Sequence, residues 1–336
     1  MLHDPWQSMV AEAEAYSARL TPTFSIIAPV HNEEAVLQAL YARVSAVMDS
    51  TGEPWELVLV DDGSQDTSAS FIRRLHGEDD RVRGLSFSRN FGFQAAVTAG
   101  LEMARGEAVI LIDADLQDPP EVIPEMIAKW REGFDVVYGV RGERAGETFL
   151  KKATAAGFYR VIERIASVRI PVDTGDFRLM DRRVVEAIRR MPERHRFLRG
   201  MVSWAGYRQT GVVYKREPRL AGQTNFTPAK MICFALDAIT SFSYFPLQLA
   251  GYIGLLVAGV GVVGGLVVLV LGLAGVRGVP GWEAAVLVAV AMLGGLQMMF
   301  LGVLGEYLGR MAEESKGRPL YLVRERWDSE GPRKGD

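Results

Sequence analysis

The sequence has little of what several common kinds of functional site require. It contains a single cysteine, Cys233, which excludes an intrachain disulfide and a cysteine-rich zinc site. Its four histidines are scattered and show no HExxH spacing. The formal net charge of −3 in 336 residues is close to neutral and argues against nucleic-acid binding, which needs a concentrated basic surface.

Glycine-rich motifs that cradle phosphate are also missing. No GxxxxGK[ST] loop occurs. One GxGxxG match, at 259–264, lies inside an uncharged apolar run with no strand before it and no ribose-binding acid after it, so it is spurious. A ligand that carries phosphate would therefore need a metal ion rather than a glycine cradle.

Two long stretches near the C-terminus contain no charged side chain, at 238–276 and 284–305. A bilayer core needs about 20 apolar helical residues. We predict membrane helices at 247–273 and 284–304, joined by a turn-rich connection into a hairpin within 244–309, rather than two buried helices of a soluble protein. Residues 228–243 are moderately amphipathic and are predicted to lie along the membrane surface.

The charges on either side of these stretches predict an orientation. Basic residues lie before the first helix and after the second, whereas the connection carries only Arg277. The positive-inside rule then places both termini and the catalytic domain in the cytoplasm, in a multi-pass protein of the cell membrane. Pairs of glycines with GxxxG spacing indicate helix contact or a homo-oligomer. We expect a lead-in at 1–22 and a cytoplasmic tail at 310–336.

The remaining part of the chain alternates between strand and helix patterns. Predicted strands lie at 24–30, 55–62, 82–88 and 107–115. Helical periodicity covers 33–50 and 93–104, and a helix begins within GSQDTSASFIRRLHG. This alternation predicts an α/β domain with a mostly parallel sheet covered on both faces.

Polar residues follow each predicted strand, at the end where ligands bind in sheets of this kind. Taken singly, a stretch such as DDGSQDTS is most simply a helix cap. Four such stretches at one edge indicate a pocket for a polar ligand. They contain Pro29, His31, Asn32 and Glu33; Asp61, Asp62, Gly63 and Ser64; Ser88, Arg89 and Asn90; and Asp113, Asp115 and Gln117.

The most informative stretch is LIDADLQDPPE, residues 111–121, where an apolar strand runs into three aspartates. Clustered carboxylates repel one another and need an opposing charge. Asp113 and Asp115 are two residues apart and would project to the same side of an extended segment. Oxygen ligands of this kind suit Mg²⁺ or Mn²⁺. We therefore predict a divalent metal that carries a nucleotide diphosphate.

At this point the residues resemble a known family. The stretches PVHNEE, VDDGSQDTS, SRNFGFQAAVTAG and DADLQDPPE, in this order, resemble glycosyltransferase family 2, which has the GT-A fold. VVYGVRGER, GDFRLMDRRVVEAI and RFLRGMVSWAGY, with the two apolar segments, make the chain similar to the polyprenyl-phosphate glycosyltransferases. These include dolichol-phosphate mannose synthases and bacterial undecaprenyl-phosphate glucosyltransferases. The resemblance covers about residues 23–325, with the GT-A domain at 23–227.

The resemblance implies metal-dependent, inverting transfer of a sugar from a nucleotide-sugar to a polyprenyl phosphate. UDP-glucose is the leading donor, and GDP-mannose and UDP-aminopentoses remain open. A protein of another class, a non-catalytic membrane-anchored binder of nucleotide-sugars, is the remaining alternative. The intact acidic stretch and the GDFR segment argue against it.

The resemblance also implies residue roles. Asp176 and Asp115 would be catalytic, with Asp176 acting as a base or as an orienting group. Asp113, Asp115 and Gln117 would surround the metal. The implied contacts of the nucleotide-sugar are Pro29, His31, Glu33, Asp61, Asp62, Gln94, Asp113 and Ala114. The implied contacts of the lipid phosphate are Arg141, Arg199 and Arg219.

One departure from the family pattern affects the lipid phosphate. The usual RxxGxSK-like segment reads RLAGQTN here, so Asn225 stands where a lysine is usual. We expect the missing contact to be weakened or taken over by Lys215, Arg216 or Lys230.

Overall fold

A computed structural model describes residues 21–142, 174–217, 245–274 and 282–328. The chain divides into two compact units. One contains the α/β sheet and includes the segment from Pro319 onward, and the other contains the two long helices. The predicted lead-in, apart from its last two residues, and the predicted surface helix at 228–243 lie outside the described residues.

Within the described residues, eight strands form one sheet in the order β7-β5-β6-β4-β1-β2-β3-β8. The strands are β1 Phe24–Val30, β2 Trp55–Asp61, β3 Val82–Phe87, β4 Ala108–Leu111, β5 Val136–Arg141, β6 Thr174–Asp181, β7 Gln209–Tyr214 and β8 Val323–Trp327. Four neighbouring pairs are parallel and three are antiparallel. The predicted α/β fold with a mostly parallel, GT-A-like sheet is confirmed.

Helices cover this sheet, and their apolar positions explain how. They are α1 Leu37–Thr51, α2 Ser68–Glu78, α3 Phe93–Met103, α4 Ile123–Arg131, α5 Arg182–Arg189 and α6 Leu198–Trp204. In α1 the buried residues recur every three or four positions, which places them on one face. Helix α3 packs on β1 and β2 so closely that a Cβ at Gly100 would lie 2.3 Å from Ile27 Cγ2. The strands β1, β2 and β3 are buried along their whole length.

The sequence did not predict strand β8, which pairs antiparallel with β3 at the edge of the sheet. A buried ionic network anchors its end. Arg83 donates hydrogen bonds to Glu56 and Asp328, both at 2.7 Å, and the three side chains are only 4–6% exposed. Residues that follow the last long helix therefore complete the sheet.

The second unit contains α7, Phe245–Leu273, and α8, Trp282–Ser315. They cover the predicted ranges 247–273 and 284–304, and Phe300 lies 3.3 Å from the position of a Cβ at Gly254. Across the described ranges, no helix meets the length and apolarity needed to cross a bilayer. The membrane hairpin stays a prediction.

The anchor of β8 gives a stability prediction. Arg83→Leu leaves Glu56 and Asp328 buried without their cation, and breaking a buried pair in this way costs about 3–5 kcal/mol. Thermal unfolding should therefore begin at a clearly lower temperature. Arg73→Ala is the control because it removes an exposed ion pair to Glu325 of the same strand, worth less than about 1 kcal/mol. Equal shifts for the two variants would contradict the role of the network.

Candidate active site

The register of the sheet brings the polar stretches to one edge, as predicted. Val30 pairs with Asp61, and Asp61 pairs with Ser86, so β1, β2 and β3 end side by side. Strand β4 joins the same edge beside β1. Strand β6 runs antiparallel to β4 and begins at this edge. Arg178 pairs with Leu111 at the end of β4, and Asp176 lies close enough to Asp113 for its negative charge to raise the pKa of Asp113.

The loops after β1 and β2 are tied together by hydrogen bonds. The backbone N–H of Asn32 donates to Ser64 Oγ at 2.9 Å, and the Gln65 N–H donates to Asn32 Oδ1 at 2.8 Å. Thr67, at the start of α2, donates its hydroxyl to Glu34 at 2.6 Å and makes no cap bond. The polar residues of DDGSQDTS thus fix the rim of the sheet rather than simply capping the helix.

His31 and Asp62 connect the loops after the first three strands. His31 Nδ1 donates to the Asp62 carbonyl at 2.9 Å, and Asn90 Nδ2 lies 3.2 Å from His31 Nε2. The Asp62 carboxylate accepts the N–H groups of Phe91 at 2.7 Å and Gly92 at 3.0 Å. Burial raises the pKa of Asp62, although these two backbone N–H groups oppose the shift.

Asp61 is fully buried and held at both carboxylate oxygens. Oδ1 accepts the Ser64 N–H at 3.0 Å, and Oδ2 accepts the Ser86 hydroxyl at 2.5 Å. Gly63 follows with a φ of +62°, and a Cβ there would lie 2.3 Å from the Arg89 carbonyl carbon, so only glycine fits.

The other residues predicted to bind the nucleotide-sugar lie at or near this edge. Pro29 is buried in β1 beside Val60, and Ala114 is buried in the acidic turn. The Glu33 N–H donates to Ser68 Oγ at 3.1 Å. Gln94, on α3, accepts the Leu198 N–H at 3.1 Å and so holds the first turn of α6.

The acidic stretch forms a turn rather than the end of a strand. Strand β4 ends at Leu111, and Asp115 Oδ1 accepts the Gln117 N–H at 3.1 Å. Leu116 has a φ of +57°, an unfavourable conformation for a branched residue. The expectation of an extended segment through residue 115 was therefore wrong, because this local hydrogen bond competes with the sheet.

Asp113 is the most strongly perturbed acid in the turn. Burial and the charges of Asp176, Asp118 and Asp115 raise its pKa to about 8, although Arg141 opposes the shift. Its Oδ1 atom is buried and has no hydrogen-bond partner within the described part of the chain. An acid in this position is best neutralised by a proton or a cation.

The side chains of the acidic turn can hold a metal ion only if the substrate supplies the remaining ligands. Over the described ranges, no group of three or more His, Cys, Asp and Glu side chains is placed to hold a metal ion. Mg²⁺, however, is commonly held by one or two carboxylates together with the phosphates of the substrate. The unpartnered Asp113 oxygen fits such a shared site. The predicted set of Asp113, Asp115 and Gln117 stays a prediction.

Asp118 is buried behind the turn and was not assigned a role from the sequence. It accepts a hydrogen bond from Tyr214 at the end of β7, and Arg216 Nε lies 3.7 Å away. Burial raises the pKa of Asp118, although Tyr214, Arg141 and Arg216 oppose the shift. This contact joins the acidic turn to β7.

Arg43 holds the turn from the other side. It donates to Glu121 at 2.6 Å and to Glu217 at 2.9 Å. The Glu217 N–H in turn donates to the Gln117 carbonyl at 2.9 Å. One arginine of α1 therefore ties the acidic turn to the segment that follows β7.

Asp176 forms a bidentate ion pair with Arg199. The Arg199 Nε and Nη2 atoms donate to the two carboxylate oxygens at 2.9 and 2.7 Å. Burial opposes ionisation, but the hydrogen bonds of Arg199 and the charges of Arg199, Arg178 and Arg141 hold the pKa of Asp176 below its usual value. A carboxylate in this environment is a weak base. Of the two predicted roles, the geometry favours the orienting one.

The arginines predicted to bind the lipid phosphate have different surroundings. Arg141 ends β5 beside Tyr214, and its Nε is buried without a hydrogen-bond partner in the described ranges. Arg199 is paired with Asp176. Arg219 and Asn225 lie outside the described residues.

The sequence analysis also missed several residues of this edge. They are Ser86, Arg178, Tyr214 and Arg324. Arg178 lies next to its partner Asp176, but the partners of the other three are distant in the chain, as in the pair of Tyr214 and Asp118, which are 96 residues apart. Only the strand register could have predicted such contacts, and β8 had no recognised pattern.

The fold and the site define a class of protein. A mostly parallel GT-A-like sheet with an acidic turn at its carboxyl edge is the architecture of a nucleotide-sugar-dependent glycosyltransferase. The family model described as "Glycosyl transferase family 2" matches residues 25–189. Together with the relatives described next, this match shows that the chain belongs to glycosyltransferase family 2.

Curated relatives match along almost their full length. An uncharacterized glycosyltransferase, YkcC, of Bacillus subtilis (strain 168) is 48% identical, covering 92% of this chain and 96% of that protein. The prophage bactoprenol glucosyl transferase homolog of Escherichia coli (strain K12) is 44% identical, covering 89% and 98%. The bactoprenol glucosyl transferase of Shigella phage SfV is 43% identical, covering 89% and 97%.

A solved structure also aligns with the chain. Glucosyl-3-phosphoglycerate synthase from Mycobacterium tuberculosis has a TM-score of 0.42 and 18% identity, covering 71% of this chain and 84% of that one.

The raised pKa of Asp113 predicts how the metal-free protein depends on pH. The folded chain binds the Asp113 proton more tightly than the unfolded chain, because the pKa rises from 3.8 to about 8. The contribution of Asp113 to the free energy of unfolding therefore falls as the pH rises across that interval. Asp113→Asn should raise the melting temperature in EDTA, more at pH 8 than at pH 5. Asp80→Asn, at an exposed loop acid, is the control. A gain that does not depend on pH would contradict this explanation.

Proposed function

We propose that this enzyme transfers glucose from UDP-glucose to a polyprenyl phosphate at the cytoplasmic face of the membrane, with inversion at the anomeric carbon. The observation that carries the proposal is the acidic edge, where one carboxylate oxygen of Asp113 is buried without a hydrogen-bond partner in the described ranges and Asp176 lies nearby. The names of relatives that are 43–44% identical over nearly their whole length support the choice of glucose and of a polyprenyl acceptor.

The donor would lie along the edge from the β2 end to the acidic turn. His31, Asp61 and Asp62 would bind the nucleoside. A Mg²⁺ or Mn²⁺ ion held by Asp113 and Asp115, with Gln117 beside them, would supply positive charge to the leaving diphosphate. The repulsion between carboxylates at this turn supports the need for such a cation.

The acceptor needs no strong base. The second pKa of a phosphomonoester is about 6, so the phosphate oxygen is largely ionised at neutral pH. This oxygen attacks the anomeric carbon, the new carbon–oxygen bond forms, and the bond to the nucleoside diphosphate breaks. Asp176, ionised and fixed by Arg199, orients the reacting groups, and the guanidinium of Arg141 is available near the phosphates.

Membrane attachment belongs to the same proposal. A polyprenyl chain leaves the bilayer only at a cost of about 0.8 kcal/mol per CH₂ group, so the catalytic domain must come to the lipid. The uncharged stretches at 238–276 and 284–305 and their basic flanks support a two-helix anchor in the cell membrane, with both termini in the cytoplasm. Association of copies through these helices is part of this proposal.

The decisive experiment identifies the lipid product. Membranes that contain the protein are incubated with undecaprenyl phosphate and labelled UDP-glucose, GDP-mannose or UDP-aminopentose, with Mg²⁺, Mn²⁺ or EDTA. We expect glucosyl phosphoryl lipid from UDP-glucose only with a metal. Transfer from another donor would show that the proposal names the wrong sugar. Undiminished transfer in EDTA would show that the reaction needs no metal. Binding without transfer under every condition would favour the non-catalytic alternative.

Asp176→Asn tests the reacting centre. We expect turnover to fall by about 100-fold or more, with the Kd of the nucleotide-sugar within about threefold, because the carboxylate acts on reacting groups rather than on the nucleotide. The pH profile of turnover should keep its shape near neutrality, because Asp176 does not act as the base. Glu193→Gln, at an exposed acid, is the control. Equal losses of binding and turnover would reject the role.

A further inference from the structure

The C-terminal strand brings a cation to the nucleoside end of the site. Arg324, on β8, donates from Nη2 to Ser86 Oγ at 3.0 Å, although the two residues are 238 positions apart in the chain. Ser86 Oγ lies 2.5 Å from Asp61 Oδ2. A guanidinium can only donate, and a hydroxyl has a single proton. The Ser86 proton must therefore go to Asp61, and the hydrogen bonds run in one direction from Arg324 to Asp61.

The strand pairing explains why Arg324 reaches Ser86. Leu85 pairs with Arg326 and Ser86 with Glu325, but Phe87 pairs with Val323, so Arg324 is the extra residue in an irregular pairing. A bulge of this kind redirects a side chain and occurs often beside functional sites. Arg324 is thereby directed to Ser86, and the contact crosses three adjacent strands, β8, β3 and β2.

Contacts other than that of Arg324 hold β8 in place. Asp328 is bound by Arg83, Trp327 is buried, and Tyr321 stacks on Phe87 with ring centroids 4.7 Å apart. The Ser88 N–H donates to the Leu322 carbonyl at 2.9 Å. These contacts fix both ends of the strand, which leaves the Arg324 contact with Ser86 free for another role.

We propose that Arg324 is a positioning residue of the nucleotide-sugar site, acting through Ser86 to fix the Asp61 carboxylate. The inference rests on the proposed function, in which Asp61 binds the nucleoside of the donor. Each Asp61 oxygen already accepts one fixed donor. A carboxylate oxygen has two lone pairs, so Asp61 can still accept an N–H group of a nucleobase. The C-terminal strand is thus part of the donor site.

The test measures nucleotide binding and turnover separately in the purified full-length protein. Arg324→Met should raise the Kd for UDP and the KM for the nucleotide-sugar by about tenfold, the loss expected for one hydrogen bond from a charged group, with kcat within about twofold. Arg324→Lys, which can still donate to Ser86, should restore most of the affinity. Arg326→Met is the control. Arg326 carries the same charge on the same strand, but its side chain donates to Asp328 and not to Ser86.

A double mutant tests whether the effect passes through Ser86. If it does, Ser86→Ala with Arg324→Met should bind UDP no more weakly than Ser86→Ala alone. Additive losses would overturn the inference, as would an unchanged Kd in Arg324→Met or an equal loss in Arg326→Met. Should the wild-type protein bind neither UDP nor GDP, the proposed function itself fails; normal binding by Arg324→Met refutes only the role of Arg324.

Discussion

The site depends on the mutual repulsion of carboxylates that the sheet forces together. The antiparallel pairing of β6 with β4 brings Asp176 near Asp113, and the negative charge of Asp176 raises the pKa of Asp113. The two acids resolve this conflict differently. Asp176 pairs with Arg199 and stays ionised, whereas Asp113 has a raised pKa and a buried oxygen without a hydrogen-bond partner among the described residues. One acid is thus neutralised within the chain, and the other is left to interact with a ligand.

Hydrogen bonds within the chain hold the rest of the edge in place. Hydrogen bonds tie the loops after β1, β2 and β3 to one another, and Asp61 and Asp62 accept fixed donors at their carboxylates. On the other side, Arg43 and Tyr214 hold the acidic turn. Groups held in this way lose little conformational freedom on binding, which favours both affinity and correct placement of the reacting atoms.

Chain order and spatial order differ most at the C-terminal strand. Strand β8 follows the two long helices in sequence, yet it completes the sheet beside β3 and brings Arg324 to Ser86. The sheet unit therefore depends on residues near both ends of the described chain, from β1 to β8. The buried contacts of Arg83 with Glu56 and Asp328 show that this attachment is a built part of the fold.

The sequence by itself determined the alternation of strands and helices, the polar residues at the strand ends and the acidic stretch, because these depend on local periodicity and on neighbouring residues. It placed β1, β2 and β3 within a residue or so and α7 within two residues, whereas α8 continues to Ser315, well beyond the predicted end at 304. Only the tertiary structure decided that β4 ends at Leu111, that Asp176 pairs with Arg199 and that Arg324 reaches Ser86. The two arginine contacts join residues far apart in the chain, and the end of β4 arises from a turn with a local hydrogen bond. Neither kind of feature leaves a periodic trace in the sequence.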